Sequence, residues 1–128
     1  MKRILIIDDD DQVRLMLRIM LERAGYAVMD AENGEVGVRL NRMEPADLII
    51  TDIFMPEKEG LETIRELLRD FPEAKIIAIS GGGMTGALSY LSLAKSFGAL
   101  HTMEKPFNQH QILTAVGELL DPVNMTTG

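Results

Sequence analysis

The chain has 128 residues, 46% hydrophobic and 26% charged, with no cysteine and a net charge of −7. That length suits one domain with one core. The acidity argues against holding nucleic-acid phosphates by bulk charge, and the missing thiols exclude disulfides and thiolate metal centres, which fits a reducing cytoplasm.

In chain order, "MKRILIIDDDD" opens like a secretion signal, but its apolar run stops at Ile7 against four acids, too short for that role. No apolar run is long enough to span a bilayer. Residues 3–7 predict a first strand. Residues 11–24 carry Val13, Met16, Leu17, Met20, Leu21 and Ala24 at helical spacing, and Gly25 supplies the stop. A second strand is predicted over 26–30, a helix over 34–43 and a third strand over 47–51. A helix over 60–70 closes at Phe71-Pro72, and a fourth strand covers 75–80. A helix over 84–97 closes at Gly98. A fifth strand covers 99–103, and Asn108 can cap a last helix over 108–120. Residues 1–121 read as one domain with no second domain after it, and 122–128 as a flexible tail.

Five short apolar strands alternating with five amphipathic helices imply an α/β fold, a doubly wound parallel sheet covered on both faces. Ligands of such sheets sit outside the carboxyl ends of the strands. Asp8 to Asp11 follow the first strand, Asp52 the third, Ser80-Gly81 the fourth and Glu104-Lys105-Pro106 the fifth. In the order 2-1-3-4-5, one of the common doubly wound orders, strands one and three are neighbours, so Asp8, Asp9 and Asp52 converge. Two carboxylates about 4 Å apart repel by roughly 4 kcal/mol at an effective dielectric near 20. One of them takes a proton, or a cation sits between them. Oxygen-only ligands suit a hard ion such as Mg²⁺. Asp10 or Asp11 reads instead as a helix cap. Ser80 and Lys105 add a hydroxyl and an ammonium, completing a site for a tetrahedral anion beside a metal.

Two other readings compete. Gly81, Gly83 and Gly86 match G-x-G-x-x-G, but that dinucleotide fingerprint belongs after a first strand and here follows the fourth. A small Mg²⁺-dependent phosphatase also forms an aspartyl phosphate. This chain leaves little room for a substrate-selecting cap, and Phe54 stands where a catalytic acid would follow Asp52.

Taken in order, "ILIIDDD", "DLIITDIFMP", "IIAIS" and "GALHTMEKPF" resemble the response-regulator receiver domain of bacterial two-component signalling, with its CheY-like, flavodoxin-like fold. The likeness runs from Arg3 to about Leu120. It implies that Asp52 accepts a phosphoryl group from a sensor histidine kinase or histidine phosphotransfer domain. It implies Mg²⁺, with Mn²⁺ as a substitute, held by Asp8, Asp9, Asp52 and the backbone carbonyl of Phe54. Ser80, Gly81 and Lys105 would contact the phosphoryl group, and a cis peptide would precede Pro106. The resemblance further implies a cytoplasmic signalling domain rather than an enzyme, one that assists its own phosphoryl transfer and dephosphorylation. Its conformational change would act on a downstream protein, with neither nucleic acid nor membrane as partner. In the family, the start of the first helix docks the kinase. Val13 and Met16 lie there, and Leu15 and Ile19 add a second apolar stripe beyond what one core face needs.

The chain departs from the family pattern in three places. Thr102 stands where a Tyr or Phe usually swings inward on activation. The glycine-rich stretch 80–86 is predicted to carry the change instead, because glycine tolerates unusual backbone angles. Neither Phe54 nor Gly82 can hydrogen-bond the water that attacks an acyl phosphate, which predicts a long adduct half-life. His101 and His110 are not spaced as metal ligands.

Overall fold

The computed structural model describes residues 1–53, 60–81 and 87–121, without the side chains of 87–91. The elements run β1 (Arg3–Ile7), α1 (Asp11–Arg23), β2 (Ala27–Ala31), α2 (Gly34–Met43), β3 (Leu48–Asp52), α3 (Gly60–Asp70), β4 (Ile76–Gly81), α4 (Ala87–Phe97), β5 (His101–Lys105) and α5 (Gln109–Leu120). The five strands form one parallel sheet in the order β2-β1-β3-β4-β5. The predicted fold class and strand order are those observed.

Successive side chains of a strand leave opposite faces of the sheet, so the Ile- and Leu-rich central strands feed two cores. Leu5, Ile7, Ile49, Ile76 and Ala78 pack with Val38 of α2, Ile64 and Leu67 of α3 and Ala94 of α4. Ile4, Ile6, Leu48, Ile50, Ile77 and Ile79 pack on the other face with Leu17 and Leu21 of α1 and Ile112 and Val116 of α5. Burying each such side chain stabilises the fold by about 1.5–3 kcal/mol. The strands at the two margins are less covered: β2 is mostly half-buried, and no residue of β5 is fully buried.

Helix starts follow their caps. Asp10 Oδ1 accepts from the amides of Gln12 (2.9 Å) and Val13 (3.3 Å). Asn33 accepts from Val36 N at 2.9 Å. Asn108 and Gln111 exchange two bonds of 2.8 Å in a reciprocal box. Gly25, at φ 99°, takes the left-handed turn after α1 that a side chain would oppose.

Several boundaries differ from the sequence reading. β2, β3 and β4 each begin one residue later than predicted, and β5 is shifted by two. The ladder continues through Asp52↔Ile79 and Gly81↔Lys105. Backbone pairing does not depend on whether a side chain is polar, so a strand outlasts its apolar run. Asp52, Gly81 and Lys105 therefore end strands rather than follow them. In α1 the buried arc is Leu17 and Leu21, flanked by Val13 and Met20. Met16 and Ala24 share the helical spacing but are exposed, because 13, 17, 20 and 21 fill the stripe facing the sheet. The helix predicted from residue 84 is described from Ala87. The expected tail, 122–128, lies outside the described residues, as do Phe54 and 82–86 of the glycine-rich stretch.

Candidate functional site

The carboxyl ends of β1, β3 and β5 meet at one point. Asp8 follows β1 and is completely buried, and Asp52 ends β3 with 4% of its surface exposed. Asp9 is exposed beside them. One carboxylate oxygen from each of Asp8, Asp9 and Asp52 lies within 4.8 Å of the others. Lys105, at the end of β5, places its Nζ 2.8 Å from Asp8 Oδ2 and 3.1 Å from Asp52 Oδ2. Two buried carboxylates thus share one ammonium.

Asp8 is tethered on every side. Its amide donates to Ala31 O (3.1 Å), its Oδ1 accepts from Asp10 N (2.8 Å), and its carbonyl accepts from Arg14 Nη1 (2.7 Å). Only Oδ2 lacks a hydrogen-bond donor. Lys105 is close enough to pair with it by charge but lies off the direction a hydrogen bond needs. Burial raises the Asp8 pKa above the usual carboxylate value, outweighing Lys105 and the Asp10 amide. Burial alone would lower Lys105. The contact with Asp8 and the charge of Asp52 outweigh it and hold Lys105 above the ordinary lysine value.

The donor set is all oxygen, its negative charge exceeds what Lys105 offsets, and one buried oxygen accepts no hydrogen bond. Those residues fit a hard divalent cation. Gly60 lets the start of α3 close against this point: its amide donates to Ile53 O at 3.3 Å, and a Cβ there would collide with the Asp52 carbonyl.

The other predicted residues fall as follows. Ser80 is fully buried, one residue beyond the register partner of Asp52, and its hydroxyl donates to Gly81 O at 3.5 Å. Gly81 pairs with Lys105 across β4 and β5. Thr102 is half-buried opposite Ala78, and the Lys105-Pro106 peptide is cis. Leu15, Met16 and Ile19 are 57%, 39% and 41% exposed, whereas Val13 packs against the core. Phe54 and Gly82, Gly83 and Gly86 lie outside the described residues. His101 approaches Glu118 at 3.9 Å, and the acid trio is the one metal-ready group among the described residues. Sequence reasoning missed Arg14. Its signal was the first cation of a helix that opens on acids.

Among the described residues no helix is long and apolar enough to cross a membrane. Residues 4–117 match the family model described as the response regulator receiver domain. The chain is 34% identical over 119 residues to the chemotaxis protein CheY of Thermotoga maritima, covering 92% of this chain and 97% of that one. It is 32% identical over 122 residues to a part of the sensor kinase CckA of Brucella abortus, covering 92% of this chain and 12% of that one. Among solved structures, the response regulator protein TrrA of Thermotoga maritima in complex with Mg(2+)-BeF superposes with a TM-score of 0.83 at 35% identity, covering 94% of this chain and all of that one. With its 2-1-3-4-5 sheet and the three acids at the strand ends, the chain belongs to the receiver domains of two-component response regulators.

Proposed function

We propose that Asp52 is the phosphoacceptor of this receiver domain. The observation that carries the reading is a buried Asp52 carboxylate hydrogen-bonded to Lys105 and set among two further acids. An Asp52 oxygen attacks phosphorus, a new P–O bond forms, and the bond to the donor breaks with its electron pair leaving on the donor. With a phosphohistidine donor the leaving atom is an imidazole nitrogen; with acetyl phosphate it is an acetate oxygen. Covalent carboxylate catalysis of this kind is common, and phosphoryl transfer is mainly positioning and charge neutralisation.

Asp8, Asp9, Asp52 and the Phe54 carbonyl would hold Mg²⁺, which when bound offsets charge on the transferring oxygens. Lys105 pairs with one phosphoryl oxygen, and Ser80 and the Gly81 amide bond another. The acyl phosphate then biases a pre-existing equilibrium, with residues 80–86 as the segment that changes. This is a signalling role without external turnover, although the same groups assist loss of the phosphoryl group. We assign it to residues 1–121, in the cytoplasm.

The donor is a sensor histidine kinase or histidine phosphotransfer domain; the relative named sensor kinase CckA carries a similar stretch in a longer chain. The Leu15, Met16 and Ile19 stripe beside the acids suits helix docking. Glu at both Leu15 and Ile19 is expected to slow transfer from a cognate donor at least several-fold while the melting temperature holds; unchanged transfer would remove the stripe from the interface.

The test of the acceptor reading is intact mass after incubation with acetyl phosphate and Mg²⁺. One phosphoryl adduct, stable in acid and labile in base, is expected, and chelation should prevent it. Continuous phosphomonoester turnover would favour a phosphatase instead.

A further inference from the structure

We propose that Arg14 is a positioning residue for the acidic site: it clamps the Asp8-Asp9 peptide and so sets where the Asp9 carboxylate points. The inference rests on the reading that Asp8 and Asp9 hold a divalent cation.

The sheet ladder of β1 ends at Ile7, paired with Ala31 and Thr51. One residue on, the Asp8 amide still donates to Ala31 O. The Asp8 carbonyl has left the ladder, and Arg14 Nη1 is its donor at 2.7 Å. The other end of the guanidinium pairs with the Asp11 carboxylate. The Arg14 backbone amide donates to Asp10 O at 3.0 Å. Arg14 therefore bonds the loop at Asp8, Asp10 and Asp11 at once. Its side chain is only 16% exposed, and the planar fork fixes both partners together.

Asp9 is the residue this arrangement controls. It is exposed, and among the described residues no hydrogen bond or ion pair restrains its side chain. Its direction comes from its backbone, and the preceding peptide is the one Arg14 holds. The peptide after Asp9 is held by Asp8 Oδ1, which accepts from Asp10 N at 2.8 Å, and the peptide before it by Arg14.

Charge and position predict opposite signs. A cation near an acidic site repels an incoming cation, so if Arg14 acted by charge alone, deleting it would tighten Mg²⁺ binding. If it acts by position, deleting it weakens binding, and groups that orient metal ligands typically account for about 10–100-fold in affinity.

The experiment is calorimetric titration of the full chain with Mg²⁺ alone, beside the melting temperature without metal, for wild type, Arg14→Ala and Arg14→Lys. Arg14→Ala is expected to bind at least about tenfold more weakly. Arg14→Lys should recover part of the loss, since an ammonium can reach one carbonyl but cannot fork. Equal or tighter binding by Arg14→Ala overturns the proposal. If Arg14→Ala does not fold, Arg14→Lys decides: weaker binding at an unchanged metal-free melting temperature supports the clamp, and wild-type affinity overturns it. A wild type that binds no Mg²⁺ overturns the cation reading and the clamp with it. A wild type that binds, with variants that match it, overturns the clamp alone.

Discussion

Asp52→Asn is expected to take up no phosphoryl group from acetyl phosphate and Mg²⁺, and to melt higher than the wild type without metal. The first effect is chemical. An amide oxygen is a poor nucleophile and cannot yield the acyl phosphate, and Asp8 and Asp9 sit on a different strand end. The second effect is electrostatic. Asp8 and Asp52 are buried together against one ammonium, so the pocket holds more negative than positive charge. Asparagine keeps an oxygen for Lys105 and removes the excess. Removing the repulsion between two neighbouring carboxylates is worth up to roughly 4 kcal/mol at an effective dielectric near 20, or several degrees for a domain of about this size. An adduct on Asp52→Asn in intact mass would move the acceptor elsewhere. A lower melting temperature would refute the charge imbalance.

Lys105→Met is expected to do the reverse, lowering stability near neutral pH and recovering in acid. Removing one partner of a buried ion pair typically costs about 3–5 kcal/mol. Protonation of Asp8 limits the loss, because burial already raises its pKa. The signs follow from linkage. A carboxyl raised above its unfolded value of 3.8 supports folding below that value, and the support fades as pH climbs through the raised one. A lysine raised above 10.5 supports folding below that value, and the support fades as pH climbs through its folded pKa. The gap between wild type and Lys105→Met should therefore be widest between those windows and should close below about pH 4. Asp70, held low by Arg42, loses its contribution as pH falls, but equally in both proteins. Mg²⁺ should restore more degrees to the variant than to the wild type. A gap that stays constant from acid to neutral pH would contradict the shared-cation picture.

The fold was largely legible because short Ile- and Leu-rich runs and helical spacing repeat through the chain. The five strands and their order follow from that pattern with the receiver resemblance. Strand ends were less legible. Asp52, Gly81 and Lys105 belong to the ladder although their side chains are not apolar. On α1, spacing alone made Met16 equivalent to Leu17. Only the packed sheet separates the exposed residue from the buried one.

The candidate site was legible as residue types at strand ends: three acids, a serine and a lysine. Their sharing was not. That one Nζ serves both Asp8 and Asp52 depends on how far β5 stands from β1 across the sheet, and no spacing along the chain encodes that distance. The Arg14 bond was hidden for a similar reason, since its acceptor is a backbone carbonyl with no side-chain signature. Gly60 reads as a simple helix start, and its closeness to the Asp52 carbonyl exists only in three dimensions.

The three acids and their cation ride on parts of unequal stiffness. Asp8 follows β1 and Asp52 ends β3, interior strands buried on both faces, whereas Lys105 ends β5 at the margin, where no residue is fully covered. Regions with less buried surface open at lower free energy. The pocket consequently has a fixed half and a yielding half. Charge added at Asp52 would meet its least resistance on the β5 side, where Gly81 and Lys105 pair at the margin of the sheet.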